Sequence, residues 1–192
     1  RAAGKSQFTH QQNEFRRKRL GLPPVSLERL SAGGKYLPTV YAFSPVLVRR
    51  PMDWPAWHRV AGFFLTPGAG SDARLDAKLD AFLTRAREEK RRVVCVTFGS
   101  MACLDAAGCA LVPRAVQAAL SLGFRVVLVT GWSASQANPA VLSSAAAQGV
   151  DVLVVESAPH ELLFPQCACV VHHGGAGTTA RVAYAGVPSV VV

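Results

Sequence analysis

Hydrophobic and polar positions change rhythm along the chain, and the second half is the more regular. Over residues 72–90, Leu75, Leu79, Phe82 and Ala86 recur at helical spacing, with acids early and bases late. That spacing predicts a helix, with Ser71 as its cap. Residues 93–98, VVCVTF, do not alternate; a continuous apolar run of this length predicts a strand covered on both faces. The contrast then repeats. Helical spacing returns over 112–122 and ends at Gly123, and FRVVLVT at 124–130 predicts a second strand. DVLVV at 151–155 predicts a third, a helical turn follows near 160–164, and 168–172 predicts a fourth. A helix over about 176–185 closes at Gly186, and 188–192 opens a fifth strand. Strands alternating with helices imply an α/β, Rossmann-like parallel sheet with helices on both faces.

The first 70 residues follow a different pattern. Residues 6–20 predict a basic helix stopped by Leu20-Gly21-Leu22-Pro23-Pro24, and 36–44, YLPTVYAFS, predict a short strand. Pro45, Pro51 and Pro55 then oppose a helix and favour an extended connector. Thr66-Pro67-Gly68-Ala69-Gly70 marks a boundary near 66–71.

With 50% hydrophobic and 17% charged residues, the 192-residue chain can bury a core and is not disordered. It opens on Arg and stops inside an apolar run, as expected of a piece of a longer protein. The net charge of +9 is uneven: residues 1–59 hold 11 Lys and Arg against 3 Asp and Glu, while 60–192 hold 10 against 9. The excess centres on Arg16-Arg17-Lys18-Arg19. Nucleic acid or an acidic membrane surface could use such a cluster, but no aromatic interleaving accompanies it, and a solvated helix face is the favoured interpretation. The five cysteines, an odd number with no Cys-x-x-Cys pair, argue for a reducing compartment and against a disulfide scaffold or a zinc site. Cys95, Cys167 and Cys169 lie in apolar runs as small buried hydrophobes. No apolar run reaches the length of a membrane span.

The chemistry gathers where strands enter helices, the ligand-binding ends of such sheets. After the fourth strand comes His172-His173-Gly174-Gly175-Ala176-Gly177-Thr178-Thr179. Glycines let backbone N–H groups approach a ligand, the following helix end adds a positive dipole, and His and Thr side chains can donate hydrogen bonds; together they favour a phosphate. Gly175 to Ala180 also fits the dinucleotide fingerprint G-x-G-x-x-(G/A), but no Asp or Glu follows Glu161, and the turn follows a late strand rather than the first. No Gly-Lys-Ser/Thr P-loop, metal-ligand spacing or G-x-S-x-G elbow is present. Elsewhere, Gly99 and Ser100 could approach a phosphate or sugar or form an ordinary turn. Trp132 could stack on a base or simply pack, and His160 could bond a ligand or cap the next helical turn.

These residues resemble a known family. Ala158-Pro159-His160-Glu161-Leu162-Leu163-Phe164, HHGGAGTT at 172–179 and Ala185-Gly186-Val187-Pro188 are similar to the donor-binding region of family 1 glycosyltransferases. Tyr41-Ala42-Phe43-Ser44-Pro45, Arg50-Pro51-Met52-Asp53-Trp54-Pro55, Gly62-Phe63-Phe64, Val96-Thr97-Phe98-Gly99-Ser100-Met101 and Thr130-Gly131-Trp132 resemble the UDP-glucose:sterol glucosyltransferase branch. The resemblance implies the C-terminal, donor-binding half of a GT-B fold, truncated. Residues 1–44 would end the acceptor domain, 45–70 would connect, and 71–192 would form an incomplete nucleotide-sugar domain. His173 would donate to the diphosphate, with Gly174, Gly175, Gly177, Thr178 and Thr179 completing the cradle. His160 would lie near the uracil or ribose, and Gly99 and Ser100 near the phosphates. Trp132 is left to stack on the base, because Ser157 stands where plant relatives carry a stacking Trp; Arg181 likewise stands where they carry a ribose-binding Glu.

The implied reaction is inverting transfer of glucose from UDP-glucose to a sterol or lipid hydroxyl, with no metal and no cofactor beyond the donor. The implied setting is cytoplasmic, with peripheral membrane contact and no nucleic-acid partner. The sugar-contacting Asp-Gln pair and the catalytic base would lie outside the chain, so the fragment alone is expected to be inactive. Three alternatives stay open: the same fold with another small hydrophobic acceptor, a non-catalytic nucleotide-sugar-binding protein, and, last, an NAD-dependent dehydrogenase.

Overall fold

The computed structural model describes residues 2–26, 38–65, 74–98, 106–131 and 149–192, with side chains from residue 9 onward and, in the helix at 106–121, from 111 onward. The chain divides into two compact units, Arg1–Gly62 and Phe63–Val192.

The first unit opens with α1, Ala2–Leu20. Gly21 ends it in the left-handed region, where glycine carries no Cβ penalty, and the Leu22 N–H returns to the Arg16 carbonyl at 3.0 Å. Asn13 then clamps the departing chain, donating to the Val25 carbonyl at 2.9 Å and accepting its N–H at 2.8 Å. Arg17, Lys18 and Arg19 occupy the last turn, where the helix dipole favours cations, and Lys18 bridges Glu14 at 2.6 Å. Arg17, Lys18 and Arg19 are exposed.

The connector is not simply extended. Strand β1, Thr39–Tyr41, pairs in parallel with β2, His58–Val60, within the first compact unit, which ends at Gly62; the expected boundary at 66–71 lies outside the described residues. The prolines between the two strands build a knot instead of a spacer. Trp54 lies 4.2 Å from the Tyr41 ring, and the Tyr41 hydroxyl meets His58 Nδ1 at 3.2 Å. Arg50 donates to the carbonyls of Trp54, Pro55 and His58, gathering three chain segments with one guanidinium.

In the second unit α2, Ala77–Glu88, precedes β3, Val93–Thr97. Asp76 caps α2 by accepting the Lys78 N–H at 2.9 Å, so the helix starts later than expected and Ser71, outside the described residues, is not its cap. Then come α3, Ala106–Ser121, and β4, Arg125–Val129. β5, Val152–Val155, and α4, His160–Leu163, follow. The unit ends with β6, Cys169–His172, then α5, Ala176–Ala185, and β7, Ser189–Val191. The five strands form one parallel sheet in the order β5-β4-β3-β6-β7.

Side chains alternate across that sheet. Val93, Cys95, Val127, Val129 and Val170 pack with Leu79, Leu83 and Ala86 of α2, Phe164 after α4 and Val182 of α5. Val94, Val96, Val126, Leu128 and Val171 pack with Val116 and Ala119 of α3. Both faces are therefore covered, as the unbroken apolar runs predicted, and each buried Val or Leu contributes about 1.5–3 kcal/mol. Cys95 and Cys167 belong to the first layer, and Cys169 is partly buried. A hydrogen bond with Cys167 and then burial push the Cys95 thiol up, and burial raises that of Cys169, so both stay protonated.

One charge breaks the apolar pattern. Arg125 begins β4 at 1% exposure, bonded to Glu89 at 2.5 Å and lying over the Phe82 ring at 5.5 Å. Its Nε sits 3.4 Å from Asp151 without hydrogen-bond geometry, while Arg91 binds Asp151 directly. The network joins α2, β4 and the start of β5 at the amino ends of the strands.

A bond to Arg85 holds the Glu89 carboxyl below its usual range, with Arg125 adding to the effect and desolvation opposing it. A depressed folded-state value contributes stability above the ordinary glutamate range and loses it as pH falls through the folded value. Urea unfolding midpoints should therefore drop below roughly pH 4, and Glu89→Gln should flatten that drop. An acid limb unchanged by the substitution would remove Glu89 from the account.

Candidate functional site at the switch point of the sheet

The chain runs from β3 outward through β4 to β5, then returns past β3 to β6 and β7. Helix α3 leaves β3 for one face and α5 leaves β6 for the other. The carboxyl ends of β3 and β6 thus mark the topological switch point, where open parallel sheets hold ligands. Thr97 and His172 are register partners there, and both are buried.

The turn out of β6 is held by its own side chains. His172 Nδ1 accepts the Gly174 N–H at 3.1 Å, and Gly174 bends back at φ +76°. Burial first, then His173, lowers the His172 pKa, which keeps the ring neutral and able to accept. The His173 ring lies over Gly175, where an added Cβ would fall 2.3 Å from Nε2, and its Nδ1 is buried without a partner among the described residues.

Helix α5 then starts without protection. Its N-cap is Gly175, no side chain caps it, and its first turn holds no acid. The Thr179 N–H to Gly175 carbonyl bond, 2.9 Å, is the first helical bond, so the N–H groups of Ala176, Gly177 and Thr178 have no acceptor within the helix. Among the described residues, nothing lies within 4 Å of a Cβ placed on Gly177. Thr178 turns inward and is buried, and Thr179 is half-buried. The result is an uncapped positive helix end with an imidazole beside it, an arrangement suited to an anion.

His160 begins α4 but does not cap it; the cap position is Pro159, which offers no side-chain bond. The His160 ring stacks on Phe164 at 4.4 Å, and burial lowers its pKa, helped by the charge of Arg181 and opposed by Glu161. Helix α4 packs against α5. Gly99, Ser100 and Trp132 lie outside the described residues. Among the described residues, no three His, Cys, Asp or Glu side chains converge as metal ligands. Two concavities lie elsewhere, one against Arg87, Arg91 and Cys167, the other between α3 and the β6–β7 edge. Neither reaches the turn. The resemblance assigns a role to His173 alone; the part played by His172 emerges only from its burial and the Gly174 bond.

Comparison with known proteins fits this geometry. Residues 136–192 match the family model for the erythromycin biosynthesis protein CIII-like C-terminal domain. A sterol 3-beta-glucosyltransferase of Aspergillus terreus is 35% identical over 181 residues, 94% of this chain, and one of Leptosphaeria maculans is 36% identical over 93% of it. The chain spans 13% and 12% of those two relatives' lengths. The crystal structure of the glycosyltransferase SnogD from Streptomyces nogalater is 26% identical and superposes with a TM-score of 0.55, over 79% of this chain and 37% of SnogD. The chain shares the fold of the GT-B glycosyltransferases. The glycosyltransferase of kitacinnamycin shares the fold over 97% of this chain and 43% of its own, at a TM-score of 0.54 and 18% identity. In this GT-B chain the expected Rossmann-like sheet is therefore present.

Gly175→Ala tests the packing of the turn. The backbone at 175, φ −58° and ψ 137°, accepts alanine, so folding stability should hold within about 1 kcal/mol. The new methyl must nonetheless displace the His173 ring, and the ring resonances of His173 should shift in NMR spectra. Unmoved resonances would contradict the packing.

Proposed function

We propose that the protein carrying this chain transfers glucose from UDP-glucose to the hydroxyl of a sterol or similar lipid, with inversion. Residues 71–192 would supply much of the donor site, 45–70 the interdomain connector and 1–44 the end of the acceptor domain. The observation that carries the proposal is the uncapped α5 end with His173 beside it. As the acceptor oxygen attacks the anomeric carbon, the bond to the β-phosphate oxygen breaks and negative charge grows on the leaving UDP. The α5 N–H groups and a proton on His173 would meet that charge with no metal required. Because the charge is larger in the transition state than in the bound donor, these contacts would raise turnover more than affinity. The acceptor proton would pass to a base outside this chain.

Gly174, Gly175, Gly177 and Thr179 would line the diphosphate, with Thr178 contributing its backbone N–H. His160 would lie toward the uracil or ribose, and Gly99, Ser100 and Trp132 would complete the donor pocket from the facing loops. The sterol preference rests on relatives that share about a third of their residues with this chain. The lipid acceptor is also the ground for proposing a cytoplasmic protein in peripheral contact with membranes; none of the described helices is long and apolar enough to cross one. A second reading keeps the donor chemistry but replaces the sterol with another small hydrophobic acceptor. The match to the erythromycin biosynthesis protein CIII-like domain favours it.

The decisive assay incubates the full-length gene product with UDP-glucose and a panel of sterols, lipids and small aglycones. Glucosylated sterol is the expected product; product from an aglycone alone favours the second reading, and no transfer to any acceptor rejects both. His173→Ala should lower kcat about 10²–10³-fold with a smaller change in the donor KM.

A further inference from the structure

We infer that His172 is a positioning residue for the diphosphate cradle, holding through its Nδ1 the turn that sets His173 and the open N–H groups of α5. The inference rests on the donor reading above and goes beyond it, because His172 itself touches no ligand in that reading.

Three observations place it there. His172 is fully buried at the end of β6, after Val170 and Val171, where another valine would pack without any polar demand. Its Nδ1 accepts the Gly174 N–H, so the ring proton must sit on Nε2. That Nε2 is buried with no hydrogen-bond partner among the described residues. A buried unsatisfied donor is costly, so the imidazole is a poor choice for packing alone. What it provides is an acceptor two residues ahead of an N–H in a turn at φ +76°. Asn and Asp side chains close the same kind of turn by accepting the N–H of residue i+2. The turn leads directly to the ring of His173 over Gly175 and to the first N–H groups of α5.

The Asx analogy makes the test specific. The Asn side-chain oxygen sits at about the reach of His Nδ1, that of Gln at about the reach of Nε2, and Leu has no acceptor. In the full-length protein, UDP affinity by calorimetry should fall about tenfold in His172→Leu and in His172→Gln. His172→Asn should recover most of it, to within about threefold of the parent protein. Hydrogen exchange of the peptide holding Gly174 should speed up in the Leu and Gln variants and stay protected in Asn. Unfolding midpoints separate this from general damage, because a merely structural role would make affinity follow stability across all three variants. If the Leu variant fails to fold, the Asn–Gln pair decides alone. Leu binding UDP like the parent protein, or Asn performing no better than Gln, overturns the inference. If the parent protein binds no UDP, the donor reading fails instead, and the exchange measurement still decides whether His172 holds the turn.

Discussion

The uncapped start of α5 is the constraint on which the site depends. A helix leaves its first N–H groups without partners, and most helices cover them with Ser, Thr, Asp or Asn. Here the N-cap is glycine and the first turn holds no acid, so the donors stay open and the dipole uncompensated. Placing such an end at the switch point requires the strand order β5-β4-β3-β6-β7, because only there do α3 and α5 part to opposite faces. The sheet, the two apolar layers and the left-handed C-cap at Gly186, which closes α5 after ten residues, fix where those donors point.

Stability and chemistry occupy opposite ends of the same strands. At the amino ends, Arg125, Glu89, Arg91 and Asp151 form a charged network around a guanidinium that is almost completely buried. Removing one partner of such a network leaves an uncompensated buried charge. At the carboxyl end of β6 the polar side chains are histidines, and burial keeps His172 neutral. The site therefore offers N–H donors and a helix dipole with no fixed carboxylate in the first turn of α5 to repel an anion. Loops at one end can carry function because the other end is tied down by charge and both faces by apolar packing.

Much of the second unit was legible because its physics is periodic. VVCVTF and FRVVLVT lack alternation because both faces are covered, and Gly123 and Gly186 fall where helices must stop. The first unit was less legible. Three prolines suggested a spacer, yet Trp54, Tyr41, His58 and Arg50 fold it into a knot through contacts 4 to 17 residues apart, which no local pattern reports. Arg125 was unreadable for the same reason: its partners Glu89 and Asp151 lie 36 and 26 residues away. Ser71 and Asp76 are both good caps in isolation, and the later start is marked by the Asp76 carboxylate accepting the Lys78 N–H. The cradle motif and a part for His173 were legible through the resemblance, but the part of His172 was not, because it depends on burial and on the Gly174 bond.

The glycines of that motif are also not one feature. Gly174 is required by conformation: its φ is positive, and a Cβ would stand 3.0 Å from Val191 on the neighbouring strand. Gly175 has an ordinary backbone and is required by volume, since the His173 ring occupies the place of its Cβ. Gly177 meets neither demand among the described residues, where nothing lies within 4 Å of a Cβ. A glycine with open space on the first turn of an uncapped helix leaves room for something else to approach the backbone closely. Read this way, HHGGAGTT holds a lock at His172 and Gly174, a seat for an imidazole at His173 and Gly175, and an approach at Gly177. Only the last of these points outward, which is why the pattern of glycines alone could not separate a ligand cradle from a tight turn.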